Sequence, residues 1–202
     1  MLWLTCWFWG TKYTQTYVDR LANGVARGMR GRPYRWAMFE PPYVDPLRPT
    51  ICRLAAFDPI WQAARGIQPG DRVVTFDLDL IITGDISPLF DRPEPFVAVK
   101  GANQGGVHPC PLNGSVWMFR AGYRPDVWSA LDDTALHDDL WMYQMMPDFA
   151  GWQVGDSGIY CFGKGGWPGG DALPPGARIV AFPGVRDPSQ FTHLDWVKEH
   201  WR

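Results

Sequence analysis

The stretch that most restricts the fold of this chain is its first. Leu2 to Phe8 is apolar almost throughout, and Gly10 ends it. A run this short and this continuous reads as a β-strand buried on both faces, the pattern of strands in parallel sheets. From Thr14 to Met29, apolar side chains then fall at Tyr17, Val18, Leu21, Val25 and Met29. That spacing places one apolar stripe along a helix. Arg32 to Phe39 reads as a second strand, and Ile51 to Ala64 as helix broken at Asp58-Pro59. Val73 to Phe76 is a third strand, entered from the turn Pro69-Gly70-Asp71. This alternation predicts an α/β fold: a central, mostly parallel mixed sheet flanked by helices.

The second half is less regular. Phe96 to Lys100, Ser115 to Phe119 and Arg178 to Phe182 read as strands, and Trp152 to Tyr160 as a strand or hairpin. Asp126 to Leu131, Asp138 to Met145 and Leu194 to Trp201 read as helices. Pro41, Pro42, Pro46 and Pro49 stiffen one loop; Gly101 to Leu112 is another. Gly163 to Gly176 holds six Gly and three Pro and suits a mobile lid. There is no repeat and no linker. The 202 residues fit one domain, 1–202, with a core large enough to need no staples.

The third strand runs into chemistry. After Val73-Val74-Thr75-Phe76 come Asp77-Leu78-Asp79, and Gly84-Asp85 follows as a turn. Residues i and i+2 of a strand share a face, so an extended backbone brings both carboxylates to one place. Two carboxylates stripped of hydration are well compensated by a divalent ion. Mg²⁺ or Mn²⁺ held by one or two carboxylates commonly completes its shell with substrate phosphates. The same pair can instead merely close a strand and open a turn, since Asp is a common turn former.

Composition narrows the classes. A net charge of −2 gives no basis for bulk nucleic-acid binding. Cys6, Cys52, Cys110 and Cys161 are scattered and form no paired metal motif, so they read as reduced core thiols. Met1 to Trp9 has no basic leader, and no run reaches the ~20 apolar residues of a membrane span. These features predict a cytoplasmic protein. Twelve Trp, more than a core of this size ordinarily holds, suit ring-face contacts to sugars or bases, although most would serve the core. His108, His137, His193 and His200 show no helical metal spacing, and the three glutamates adjoin no motif.

At this point the chain resembles GT-A fold glycosyltransferases, most nearly small bacterial and phage proteins related to glycogenin and the lipopolysaccharide galactosyltransferases. Four stretches carry the resemblance: Trp9-Gly10-Thr11-Lys12-Tyr13 after the first strand, Asp77-Leu78-Asp79, Asn113-Gly114-Ser115 leading into a strand, and Phe182-Pro183-Gly184-Val185-Arg186-Asp187-Pro188. Such a resemblance implies a metal-dependent hexosyltransferase, retaining at the anomeric carbon. It would take a nucleotide-sugar donor, UDP-linked by preference, and a sugar, glycan or other hydroxyl acceptor. Mn²⁺ or Mg²⁺ would sit on Asp77 and Asp79. Trp9 or Tyr13 would stack on the base, with Gly10 in the turn between them. Lys12, Arg53, Gly184 and Arg186 would meet the diphosphate, and Asp77 also the ribose. Asn113 and Ser115 would bond sugar hydroxyls, and Asp139 or Asp156 would serve the acceptor.

The chain also departs from that family. Pro183 stands where the family has a metal-binding His in Phe-His-Gly-x-x-Lys-Pro, and Asp187 stands where it has the Lys. Asp187 would then supply the third metal ligand and Arg186 the positive charge. Asp139-Leu140 lacks the Gln of the family's Asp-Gln pair. For several of these residues a plain role is equally open: Lys12 and Arg53 as surface cations, Asn113 as a turn former, Asp138 and Asp139 as helix caps, Asp156 in a turn. Two other functions stay open as well. One is a relative that binds nucleotide sugar without turnover. The other is a phosphohydrolase of the haloacid dehalogenase class, which also ends a strand in Asp-x-Asp and would release phosphate from p-nitrophenyl phosphate.

Overall fold

The computed structural model describes residues 1–41, 43–102 and 110–202. Among them, strands β1 (Leu2–Trp7), β2 (Arg35–Phe39), β3 (Arg72–Phe76), β5 (Phe96–Lys100), β6 (Leu112–Arg120) and β7 (Ala150–Gln153) form the main sheet. A smaller sheet joins β4 (Leu80–Ile82), β8 (Ile159–Cys161) and β9 (Ile179–Ala181). The helices are α1 (Gln15–Gly28), α2 (Pro59–Ala64), α3 (Asp126–Ser129), α4 (Asp138–Met145) and α5 (Asp195–His200).

The main sheet runs β2-β1-β3-β6-β5-β7. β1 pairs parallel with β2 and β3, and β5 pairs parallel with β7. β6 alone is antiparallel to both neighbours. The expected mostly parallel mixed sheet is therefore present. Every residue of β1 is buried. Leu4, Cys6, Val74 and Phe76 enter one core cluster and Trp3, Trp7 and Val73 enter another. The alternation of a strand has delivered apolar side chains to both faces, which is why β1 reads as a continuous apolar run. β2 lies at the edge and is half-exposed.

α1 packs by small residues. A Cβ added at Gly28 would lie 2.7 Å from Ile82 Cγ2, and one at Gly24 would lie 3.1 Å from Ile82 Cβ. The helix backbone can therefore sit directly on β4. A third cluster, containing Ile81, Phe162, Val180, Phe182 and Trp196, joins the small sheet to α5. The glycine-rich stretch 163–176 holds no helix or strand. Trp167 pins it, with its ring 4.7 Å from that of Phe162, and Trp196 Nε1 donates to Asp171 O at 2.8 Å.

Several expectations shift. Residues 152–160 are neither one strand nor a hairpin, because β7 and β8 belong to different sheets joined by the turn at 154–157. β4, three residues after the acid pair begins, is an additional strand that the expected elements did not include. Asp58-Pro59 does break the 51–64 segment: residues 51–57 form a 3-10 helix, and Asp58 caps α2 by accepting from Ile60 N at 2.9 Å. Pro42, His108 and most of the loop expected at 101–112 lie outside the described residues. All four cysteines are free and buried. Burial pushes the Cys6 and Cys161 thiols up to about 12, which keeps them protonated.

Candidate active site

β1 and β3 are parallel neighbours, so their carboxyl ends open side by side, where ligand crevices of open α/β sheets form. A cleft of about 360 Å³ lies there. Trp9, Gly10, Lys12, Tyr13, Arg53, Asp77 and Asp79 all line it, together with Trp7, Pro49 and Thr50. The loop after β1 turns at Gly10, whose φ of +68° is a left-handed conformation that a side chain would strain.

Asp77 and Asp79 converge on this cleft, but not by strand periodicity. β3 ends at Phe76 and the chain bends at 78–79. Asp77 N donates to Ser115 O at 2.9 Å, which extends the ladder with β6 by one residue. Phe182 N donates to Asp79 O at 2.9 Å, from the end of β9. Leu78, between the two, turns into the core. The pair thus sits where the chain leaves the main sheet for the small one.

Each carboxylate is already engaged through one oxygen. Arg53 Nη1 donates to Asp77 Oδ1. Its other nitrogens bind Asp138 Oδ2, Nε at 2.8 Å and Nη2 beside it. Arg53 therefore belongs to a buried Asp–Arg–Asp clamp that also lines the cleft, and a surface role does not describe it. Burial opposes its charge, but Asp138 and Asp77 hold it ionised above its ordinary range. On the other carboxylate, Tyr13 OH donates to Asp79 Oδ2 at 2.6 Å and Lys12 Nζ lies 3.6 Å from the same oxygen. Lost hydration raises the pKa of both Asp77 and Asp79. Arg53 opposes the rise at Asp77, and Tyr13 and Lys12 oppose it at Asp79.

Asp138 does not cap α4, since its carboxylate is held by Arg53 and the helix has no side-chain cap. No local pattern foretells this contact, because Asp138 and Arg53 are 85 residues apart. Asp139, beside it in the first turn, has its pKa raised by burial and then by the charge of Asp138. Asn113 and Ser115 are buried on β6, and Asn113 Oδ1 accepts from Ser115 N at 3.1 Å. Their strand lies against the acid pair, outside the cleft lining. Asp156 is exposed in the 154–157 turn and does not line the cleft.

The loop after β9 turns at Gly184, φ +78°. Arg186 lays its guanidinium on Gly163: a Cβ there would meet its Nη2 at 3.0 Å. Asp187 caps the short turn 188–191, accepting from Ser189 N at 2.8 Å. The same oxygen accepts from Tyr17 OH at 2.7 Å, and the rings of Tyr17 and Tyr13 lie 5.0 Å apart. Sequence reasoning missed this tyrosine link, which ties the C-terminal loop to the cleft.

A divalent ion fits this donor set as an open site. Among the described residues, the side chains that engage the pair do so at Asp77 Oδ1 and Asp79 Oδ2, and none engages the other two oxygens. No group of three His, Cys, Asp or Glu that could hold a metal gathers among the described residues. Two carboxylates with a cleft in front of them suit an ion whose remaining ligands come from phosphate and water. No helix among the described residues is long and apolar enough to cross a membrane.

No protein-family model matches the sequence, and comparison with curated proteins finds no match. Solved structures do match. A glycosyltransferase involved in glycosylation of the major capsid of PBCV-1 superposes with a TM-score of 0.62 at 14% identity, covering 96% of this chain and 98% of that one. The galactosyltransferase LgtC, in complex with donor and acceptor sugar analogs, gives 0.51 at 12% identity, covering 100% and 97%. The glycosyltransferase GlyE of Streptococcus pneumoniae TIGR4 gives 0.56 at 11% identity, covering 98% of this chain and 63% of that one. At these identities the likeness is one of fold: the chain has a GT-A-like glycosyltransferase fold over essentially its whole length.

Proposed function

We propose that this chain is a glycosyltransferase that moves a hexose from a nucleoside-diphosphate sugar to a hydroxyl acceptor. The observation that carries the reading is the acid pair Asp77–Asp79, converging on the cleft at the carboxyl ends of β1 and β3. The fold adds support, since solved glycosyltransferases match it from end to end. It disfavours a phosphohydrolase of the haloacid dehalogenase type, which usually carries its acid pair on the first strand and not the third.

In this reading the donor's anomeric C–O bond breaks and its electron pair stays on the diphosphate. A bond forms to the acceptor oxygen, whose proton leaves for a base. Mn²⁺ or Mg²⁺, held by Asp77 and Asp79, would stabilise the charge that develops on the leaving diphosphate. Arg53 fixes the Asp77 carboxylate through Oδ1, and Asp138 fixes Arg53. Trp9 would stack on the base, since Tyr13 is committed through its hydroxyl to Asp79. Asp139 is the carboxylate assigned to the acceptor side. Burial and the neighbouring charge of Asp138 raise its pKa, which makes it a stronger base than an exposed carboxylate. Arg186 would face the diphosphate from the loop after β9. Asp187 holds Ser189 N and Tyr17 OH with Oδ1, so Oδ2 is the oxygen it would bring to the metal. A UDP-linked donor, retention at the anomeric carbon and a cytoplasmic location complete the proposal.

The test is release of nucleoside diphosphate from a panel of UDP-, GDP- and dTDP-sugars, with Mn²⁺ and with chelator. NMR of the transferred sugar reads the stereochemistry. Asp79→Ala should lower turnover at least 100-fold, the scale on which removing one transition-state charge stabiliser acts. Turnover unchanged by Asp79→Ala would refute the site. Tight donor binding with no turnover by any acceptor or water would identify a binding protein instead.

A further inference from the structure

Resting on that reading of the site, we infer that Lys12 is a stand-in cation for the acid pair. It neutralises Asp79 until metal and donor arrive, and is then handed over to the donor diphosphate. Metal capture is thereby tied to donor capture.

The two carboxylates are served by very different cations. Arg53 is buried and bonded to Asp77, Asp138 and Gly114 O, so it cannot leave. The side chain of Lys12 is 59% exposed and, among the described residues, makes a single ion pair, at 3.6 Å to Asp79 Oδ2. Its ammonium also lies 4.6 Å from the Tyr13 ring centroid, and the Tyr13 hydroxyl holds the same carboxylate oxygen at 2.6 Å. An ammonium on a flexible four-carbon stem is a movable point charge, unlike a clamped guanidinium. Four carboxylates (Asp77, Asp79, Asp138 and Asp139) face these two cations, so the acid pair keeps an attraction for further positive charge.

A divalent ion on Asp77 and Asp79 would share Asp79 with the Lys12 ammonium and repel it at short range. Metal alone must displace Lys12 into water. Metal with a diphosphate offers the ammonium a new anion within the same cleft. Metal and nucleotide then favour each other's binding, and by linkage the factor is the same in both directions. Lys12 adds to this factor, beyond the direct coordination of phosphate to metal, because it opposes the metal and favours the nucleotide.

Mn²⁺ binding to the full chain, followed by electron paramagnetic resonance of the free ion, tests this with and without UDP or GDP. In the wild type, nucleotide should tighten Mn²⁺ at least tenfold. Lys12→Ala should bind Mn²⁺ alone about fivefold tighter, the upper end for removing an exposed ion pair. The same variant should bind nucleotide more weakly in the presence of Mn²⁺, so that the mutual enhancement shrinks to what phosphate–metal coordination alone supplies. Lys12→Arg, which keeps the charge, should behave like wild type. If Lys12→Ala binds Mn²⁺ alone no tighter than wild type, or weakens metal and nucleotide alike, Lys12 is no stand-in. A wild type that binds neither Mn²⁺ nor nucleotide in any combination overturns the donor site itself, and this inference with it.

Discussion

Arg53 reaches partners 24, 61 and 85 residues away along the chain: Asp77, Gly114 and Asp138. Gly114 is small where the clamp is tight, since a Cβ there would lie 3.1 Å from Arg53 Nη2. A buried ion pair that loses one partner typically costs about 3–5 kcal/mol, because the remaining charge is stranded. The clamp therefore belongs to the fold as much as to the site. The acid pair could be read from the sequence because its members are two residues apart and directly follow an apolar strand, although it is a bend after β3 and not the strand itself that turns both toward the cleft. The clamp could not, because nothing local distinguishes an Arg that will be buried from one that will face water. Asp139 offers a test at this scale. Its folded pKa is raised above the ordinary 3.8, by burial first and by Asp138 second. A raised carboxylate favours the folded state below the unfolded value, and that contribution is lost as pH rises through the folded value. Asparagine at 139 carries no such penalty. In urea melts, the stability of Asp139→Asn relative to wild type should therefore increase between pH 4 and pH 7. A pH-independent difference would show that Asp139 is not desolvated.

At the scale of elements, α1 and β4 show packing overriding local preference. Alanine is a better helix former than glycine by about 1 kcal/mol. Yet a Cβ at position 28 would stand 2.7 Å from Ile82 Cγ2 and 3.0 Å from the backbone oxygen of Gly84. Overpacking of this kind costs about 1–3 kcal/mol. Gly28→Ala should lower the midpoint of thermal unfolding despite its helix propensity, and calorimetry reads the sign directly. The apolar spacing of α1 was legible at Val18, Leu21 and Val25. What that stripe would meet was not, because β4 is three residues long and follows a bend that no pattern marks. The same limit hid the split between β7 and β8. Neighbouring strands joined by a five-residue connection ordinarily pair, and here it hands the chain from one sheet to the other.

Over the whole molecule, the alternation of doubly buried strands and striped helices was enough for the fold class, because two-sided burial writes itself into β1 and β3 directly. The antiparallel insertion of β6 and the second sheet were not written there; both depend on long-range pairing. The acid pair occupies the three residues between β3 of one sheet and β4 of the other, and Asp79 O is also bonded to the residue after β9. A ligand gripped by both carboxylates therefore acts as a rivet through two plates. With UDP and Mn²⁺ bound, amide hydrogen exchange should slow across 80–82 and 179–181, on the plate that holds no catalytic group of its own. Exchange at 150–153, on the far edge of the main sheet, should stay as it was. The small sheet, with its aromatic nest around Phe162 and Trp196, would then be the part of the molecule that senses whether the cleft is full.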